Sequence, residues 1–327
     1  MSYALRRLEF FAITLWAALT MNFILPRLMP GNPAEAMLVR FRGRASVQAV
    51  QEMEAAFGLH PHTSIFQQYL DYLANTAHGD LGTSLSFFPT PVSKVIMLAL
   101  PWTIGLVGSA TVIAFVLGTL IGMLAAWRRG GIFDALLPPT FIVLSAFPYF
   151  WIGLICLLIF SFVLRWFPLG FGYDVTDQIN LSWSFAGEVL AHGFLPALTI
   201  VITSIGGWIL TMRNTMITTL AEDYVKMARA KGLSPLRIML NYAGRNAILP
   251  NLTGFAMSLG FVISGAIAVE IVFNYPGLGL MLLTAVDNED FALMQGLFLL
   301  ITVAVLVAIL IADVITALFD PRTRENG

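Results

Sequence analysis

Stretches of about 20 mostly apolar residues, the length needed to cross a hydrocarbon core, recur along this chain and constrain its fold more than any other feature. They run from Phe10 to Leu28, Thr103 to Trp127, Leu136 to Leu164, Phe194 to Met212, Leu252 to Phe273 and Leu293 to Phe319. Composition agrees: 58% of the 327 residues are hydrophobic and only 11% charged, against roughly a quarter charged in a soluble domain. Backbone polar groups in lipid must be satisfied internally, so the expected fold is all-α, a polytopic membrane protein with about six transmembrane helices. The first run follows Arg6-Arg7 as a signal peptide would, but it continues without a small-residue cleavage site, so a retained helix is expected. Pro138, Pro139 and Pro148 lie inside the third run. They remove backbone donors, so this helix should be kinked and packed among neighbours.

The same composition excludes several kinds of chemistry. A net charge of −1 gives no global basic field for nucleic acid. The single cysteine, Cys156, permits neither an intrachain disulfide nor a thiolate metal cluster. There is no phosphate-binding loop, no Gly-Lys dipeptide, and neither H-E-x-x-H nor G-x-S-x-G, so neither ATP binding of that kind nor hydrolysis has its motif here. All four histidines, His60, His62, His78 and His192, fall outside the apolar runs. His60 and His62 alone make a poor metal site, and none is expected. Two acids do fall inside runs, Glu270 and Asp313, where burial is costly and often functional. Either could line a substrate pathway or relay protons, with Glu270 the pathway candidate, but two acids at opposite depths make no relay and the structural reading of both is preferred.

Basic residues set the expected orientation, since Lys and Arg near helix ends stay on the cytoplasmic side. Arg6, Arg7, Arg128, Arg129, Arg213, the group from Lys226 to Arg245, Arg322 and Arg324 share one side of an alternating topology. Segments 166–193 and 276–291 opposite are acidic, which places both termini inside. Arg27, Arg40, Arg42 and Arg44 fall on the outer side, in a long segment of the kind that translocates with less regard to charge.

That outer segment carries helix punctuation. A helix is expected from about Val47 to Phe57, stopped by Gly58. The capping-box pattern Ser64-Ile65-Phe66-Gln67 opens another, with Ile65, Tyr69, Tyr72 and Leu73 on one face and an end near Gly79. Between the fourth and fifth runs lies a polar insert. There Thr219-Leu220-Ala221-Glu222 is a second capping box, Gly232 a stop, and Ser234-Pro235 a fresh N-cap with proline at the first helical position. Two short helices at an angle are expected, the first with Tyr224, Met227, Ala228 and Lys231 on a small apolar face with a basic edge.

These segments together resemble the membrane permease subunits of the dipeptide, oligopeptide and nickel class of binding-protein-dependent ABC importers. The likeness is carried by Arg6-Arg7, Arg27-Leu28-Met29-Pro30-Gly31-Asn32-Pro33-Ala34, Gly79-Asp80-Leu81-Gly82-Thr83-Ser84-Leu85, Asp223-Tyr224-Val225, Ala228-Arg229-Ala230-Lys231-Gly232-Leu233, Arg245-Asn246-Ala247-Ile248-Leu249-Pro250, Tyr275-Pro276-Gly277-Leu278-Gly279 and Asp320-Pro321-Arg322. The Gly79 to Leu85 segment is similar to that of the subunit type with a large external insert. The resemblance implies a type I ABC importer permease fold whose inner loop seats in a groove of an ATPase subunit. Tyr224, Met227, Ala228, Arg229, Lys231, Gly232, Leu233 and Ser234 are then the ATPase-coupling residues. Lys226 and Met227 stand where the family's general pattern has Glu and Ala, so the salt bridge of that Glu is not expected.

The resemblance further implies these partners: a second homologous permease subunit, two cytoplasmic ATPase subunits or domains holding ATP and Mg, and an extracytoplasmic solute-binding protein. No cofactor is expected on this chain, whose place is a bacterial cytoplasmic membrane. Peptides are the first expected solute, with oligosaccharides and nickel chelates as alternatives. The expected organisation is a tail and first span over 1–29, an external insert over 30–99, three spans over 100–212, a coupling loop over 213–250, two spans over 251–319 and a tail over 320–327. A carrier driven by an ion gradient through Glu270 and Asp313 is the rival reading, weakened by the absence of a tandem repeat and of a midplane acid cluster. An intramembrane hydrolase lacks its nucleophile motif.

Overall fold

The computed structural model describes residues 3–28, 64–174, 176–177, 179–180, 182–262 and 266–319, with side chains from Glu9 to Ile311, Pro26 excepted. The expected helix from Val47 to Phe57, the histidines at 60 and 62, the 320–327 tail and the side chain of Asp313 lie outside the described residues. Among the described residues helices are the regular structure and no strand forms; Thr83 and Pro91 make one isolated bridge. The chain divides into two units, residues 1–103 with 276–307, and residues 104–275 with 308–326.

The first unit contains α1 (Tyr3–Leu28), α2 (Ile65–Ala77), α3 (Val92–Thr103), α13 (Leu278–Asp287) and the first part of α14 (Phe291–Phe319). Ser64 caps α2 as the sequence indicates, its hydroxyl accepting from Gln67 N at 3.2 Å. Gln67 instead donates to Asp71 at 3.0 Å, so only half of the capping box forms. Tyr69 and Tyr72 of α2 pack on Phe23 of α1 at centroid distances of 5.2 and 5.6 Å. The Arg27 guanidinium lies 3.5 Å from the centroid of the same Phe23 ring. Arg27 therefore has a cation–π role of its own.

The Gly79 to Leu85 segment folds back on this unit. Gly79 and Gly82 take φ of +80° and +79°, values that favour glycine. Asp80 accepts from Gly82 N at 2.9 Å, and Val92 N closes the turn on Gly82 O at 3.0 Å. Asp290, almost fully buried, then collects Ser84 Oγ at 2.5 Å, Ser86 N at 2.8 Å and Leu293 N at 3.0 Å. The last of these caps α14.

The second unit contains α4 (Ser109–Trp127), α5 (Ile132–Ser145), α6 (Tyr149–Cys156), α7 (Trp183–Leu220), α8 (Asp223–Ala230), α9 (Pro235–Arg237), α10 (Arg245–Ala247), α11 (Leu249–Phe261) and α12 (Ile267–Val272). Wider π-type turns follow α6 and α9. Glycines let α4 and α7 approach closely. A Cβ on Gly118 would stand 2.5 Å from Trp208 Cβ, and one on Gly122 would stand 2.5 Å from Ile209 O. Gly206 approaches Phe141 O of α5 in the same way. Asn251, fully buried, donates to Thr119 Oγ1 at 3.0 Å and Trp208 O at 3.1 Å, which joins α11 to that pair.

Among the described residues three helices are long and apolar enough to span a membrane, Val92–Trp127, Trp183–Leu220 and Phe291–Ile311, and the bent pair Ile132–Ser145 with Tyr149–Val163 passes the same test when taken together. The expected first span is the helix α1, and the expected fifth span is occupied by α11 and α12. Two expectations are corrected. The fourth helix does not stop at Met212 but runs from Trp183 to Leu220. Thr219 consequently caps nothing, because its hydroxyl bonds back to Thr215 O within α7 and Glu222 takes the N-cap place of α8. Buried Met212 and Met216 hold that last part of α7 against the core. The kink expected of the proline-containing third span is present: it bends by 100° between Ser145 and Tyr149, at Pro148, while Pro138 and Pro139 sit inside α5. A residue before proline avoids the helical region, and Phe147 holds that place.

Candidate docking hairpin

Helices α8 and α9 make the expected polar hairpin, and Gly232 is its hinge. Its φ of +73° lies in the left-handed region, and nothing stands within 4 Å of where a Cβ would be. The end of α8 closes with two reversed hydrogen bonds, Gly232 N to Arg229 O at 2.9 Å and Leu233 N to Ala228 O at 3.3 Å. This is the Schellman arrangement, with Leu233 packed into the same cluster as Ala228 to complete it. Ser234 supplies the N-cap backbone and Pro235 the first residue of α9, as its fixed φ favours.

The faces of α8 are divided differently from the sequence expectation. Ala228 does not share an outer face with Tyr224, Met227 and Lys231. It is buried beside Val225, and both join a core of Met123, Ala126, Met212, Met216, Ile238, Met239, Ala243 and Ala247. A 3.6-residue period puts 225 and 228 together, and the methionine-lined surface of α4 and α7 takes that side. Tyr224, Met227, Arg229, Lys231, Gly232 and Ser234 remain exposed, and Leu233 is half-buried. The hairpin thus shows an apolar and cationic tip on a base that belongs to the helical bundle.

Two polar contacts fix the tip. Asn246 donates to Tyr224 OH at 2.7 Å, tying α8 to α10, and the Arg229 guanidinium lies 5.9 Å above the Trp127 ring at the end of α4. Lys226 Nζ, 2.9 Å from Asp223, holds that exposed carboxyl below its usual range.

The family pattern of binding-protein-dependent transport system inner membrane components matches residues 118–325. The chain belongs to this family. As an inner membrane transport component it is similar along its length to the di/tripeptide transport system permease protein DppB of Pseudomonas aeruginosa, with 32% identity covering 100% of this chain and 99% of the relative. It is 31% identical to the oligopeptide transport system permease protein AppB of Bacillus subtilis, over 98% of both chains. The dipeptide transport system permease protein DppB of Escherichia coli K12 is 29% identical, over 100% of this chain and 99% of that one.

Other candidates fare differently in this transport component. Glu270 is completely buried in the first turn of α12, with its backbone carbonyl accepting from Tyr275 N at 2.7 Å. It lines no cavity. Among the described residues no group of three or more His, Cys, Asp or Glu side chains is placed to hold a metal. Sequence reasoning missed the Asn246 to Tyr224 link and the close approach of Gly118 and Gly122 to α7. A pair of small residues four apart in an apolar helix was the available signal for the second. The first joins residues far apart in sequence and leaves no local pattern.

Proposed function

We propose that this chain is the permease subunit of an ATP-driven importer of peptides, and that the α8–α9 hairpin is where a cytoplasmic ATPase subunit pushes. The supporting observation is the hairpin itself: an open, exposed tip at Gly232 whose base, Val225 and Ala228, is continuous with the core under α4 and α7. Met227 and Tyr224 offer apolar contact, and Arg229 and Lys231 offer charge for an acidic rim. Force applied there reaches the bundle through packed side chains rather than through a loose loop.

Family membership supports the remaining parts of the reading. The chain is non-catalytic and pairs with a second, similar permease subunit. Two ATPase subunits or domains supply ATP and Mg, and an extracytoplasmic binding protein delivers the solute. Both termini and the hairpin are cytoplasmic. Peptides are proposed as solute because the relatives named above are di/tripeptide, oligopeptide and dipeptide transport proteins.

Substitutions at Gly232 test the hairpin. A non-glycine residue there costs about 1–2 kcal/mol for its left-handed conformation, least for Asn. Gly232→Asn should therefore preserve assembly and most uptake. Gly232→Trp should reach the membrane yet lose peptide uptake, with ATP hydrolysis no longer responding to solute. Unchanged uptake by Gly232→Trp would remove the hairpin from the coupling role.

A further inference from the structure

The break between α5 and α6 opens a concavity of about 470 Å³. Ser145, Phe147, Pro148 and Tyr149 contribute one part of its lining and Thr203 with Ser204 of α7 another; no charged residue lines it. The 100° bend lies inside an apolar stretch, Ile132 to Val163. Non-helical backbone at membrane depth is tolerated only where protein covers it or where it faces a water-filled passage. Where helices of this unit close on one another they do so through Gly118, Gly122 and Gly206, at separations that leave no room for a side chain. The bend instead leaves Phe147 and Tyr149 exposed, at 48% and 41%. The hydroxyls of Ser145, Thr203 and Ser204 donate to carbonyls of their own helices, which keeps their oxygen lone pairs as acceptors.

We propose that this concavity is a transit surface for the peptide itself, an inference that rests on the transport reading above. Hydroxyl oxygens accept backbone N–H groups common to every peptide, and the aromatic and apolar lining accepts varied side chains. With no fixed charge in the lining, neither peptide terminus is trapped, as passage requires binding weak enough to release. The volume lies within the roughly 300–1,000 Å³ of small-ligand pockets.

Cys156 is the chain's single cysteine and is buried, so a Cys156→Ala background reports on introduced thiols alone. In that background Ser204→Cys is compared with Leu154→Cys, an exposed α6 position outside the cavity. Both are assembled with the ATPases, second permease and binding protein in proteoliposomes and treated with a charged, water-soluble thiosulfonate. Thiolate formation is favoured in a wet site, so Ser204→Cys should react about tenfold faster than Leu154→Cys. A dipeptide delivered by its binding protein should slow that reaction, and modification should cut uptake. Equal slow rates at both positions in every nucleotide state would overturn the inference, whether a lipophilic maleimide shows lipid cover or crosslinking shows cover by the second permease subunit. Full uptake after complete modification of Ser204→Cys would overturn it too. Uptake by the unmodified Cys156→Ala complex is measured separately. Peptide uptake by the wild-type complex is measured beside it: its absence counts against the transport reading, loss confined to Cys156→Ala marks that buried position as structural, and the labelling rates still decide the transit surface.

Discussion

Asp290 shows how much one side chain can organise. It accepts three hydrogen bonds in the interior, two from the Ser84 to Ser86 turn and one from the first turn of α14. Replacing it with Ala strands a buried hydroxyl, a buried N–H and a half-buried one, each buried group worth about 1–3 kcal/mol when left unsatisfied. Asp290→Ala should accordingly lower the thermal unfolding midpoint in detergent by several degrees, with Asp290→Asn intermediate because it can still accept. An unchanged midpoint would mean that the turn is held by something else. This joint was half legible beforehand. The glycines of Gly79 to Leu85 announced a turn, but its acceptor lies about 200 residues away and no local rule points to it.

At the scale of elements, the glycine contacts and the proline bend divide the work. Gly118 and Gly122 bring α4 against α7, while the Ala146 to Pro148 break turns α5 away from α6. Gly122→Ala would push a methyl into Ile209 O, an overpacking that costs typically about 1–3 kcal/mol. Gly207→Ala, on the same helix pair but with nothing within 4 Å of its Cβ, should instead stabilise by about 0.5–1 kcal/mol through helix propensity. Thermal melts of the two variants should move in opposite directions. Gly232 and Ser234-Pro235 were readable because their chemistry is local: positive φ, a cap, a fixed ring. Thr219 misled because a capping pattern competes with helix continuation, and the packing of Met212 and Met216 decided for continuation. Ala228 misled because an alanine suits either face of a helix, and only the neighbouring core could assign it.

For the whole molecule, only about a third of the residues in the Val92–Trp127 and Trp183–Leu220 apolar windows are buried within the chain. The rest of those windows is left for lipid or for other proteins, and on the reading proposed above the chain is one component of a larger machine. The purified chain in vesicles should therefore show no uphill peptide uptake under a proton gradient, and uptake should appear only with the other subunits and ATP. Accumulation by the chain alone would restore the gradient-driven rival. The apolar runs made the fold class readable from composition, whereas the division into two units depends on long-range contacts that a linear pattern does not carry.

The core beneath the hairpin contains four methionines, Met123, Met212, Met216 and Met239, together with small alanines. Thioether chains are unbranched and polarisable, so they change rotamer at little cost and refill irregular space. If the hairpin couples as proposed, a joint cushioned in this way could tilt through a stroke and reseat without tearing a void, as a rigid seam of branched residues would not. The same sulfurs give it a weakness: conversion to sulfoxide would lodge polar oxygens in the bearing and stiffen it.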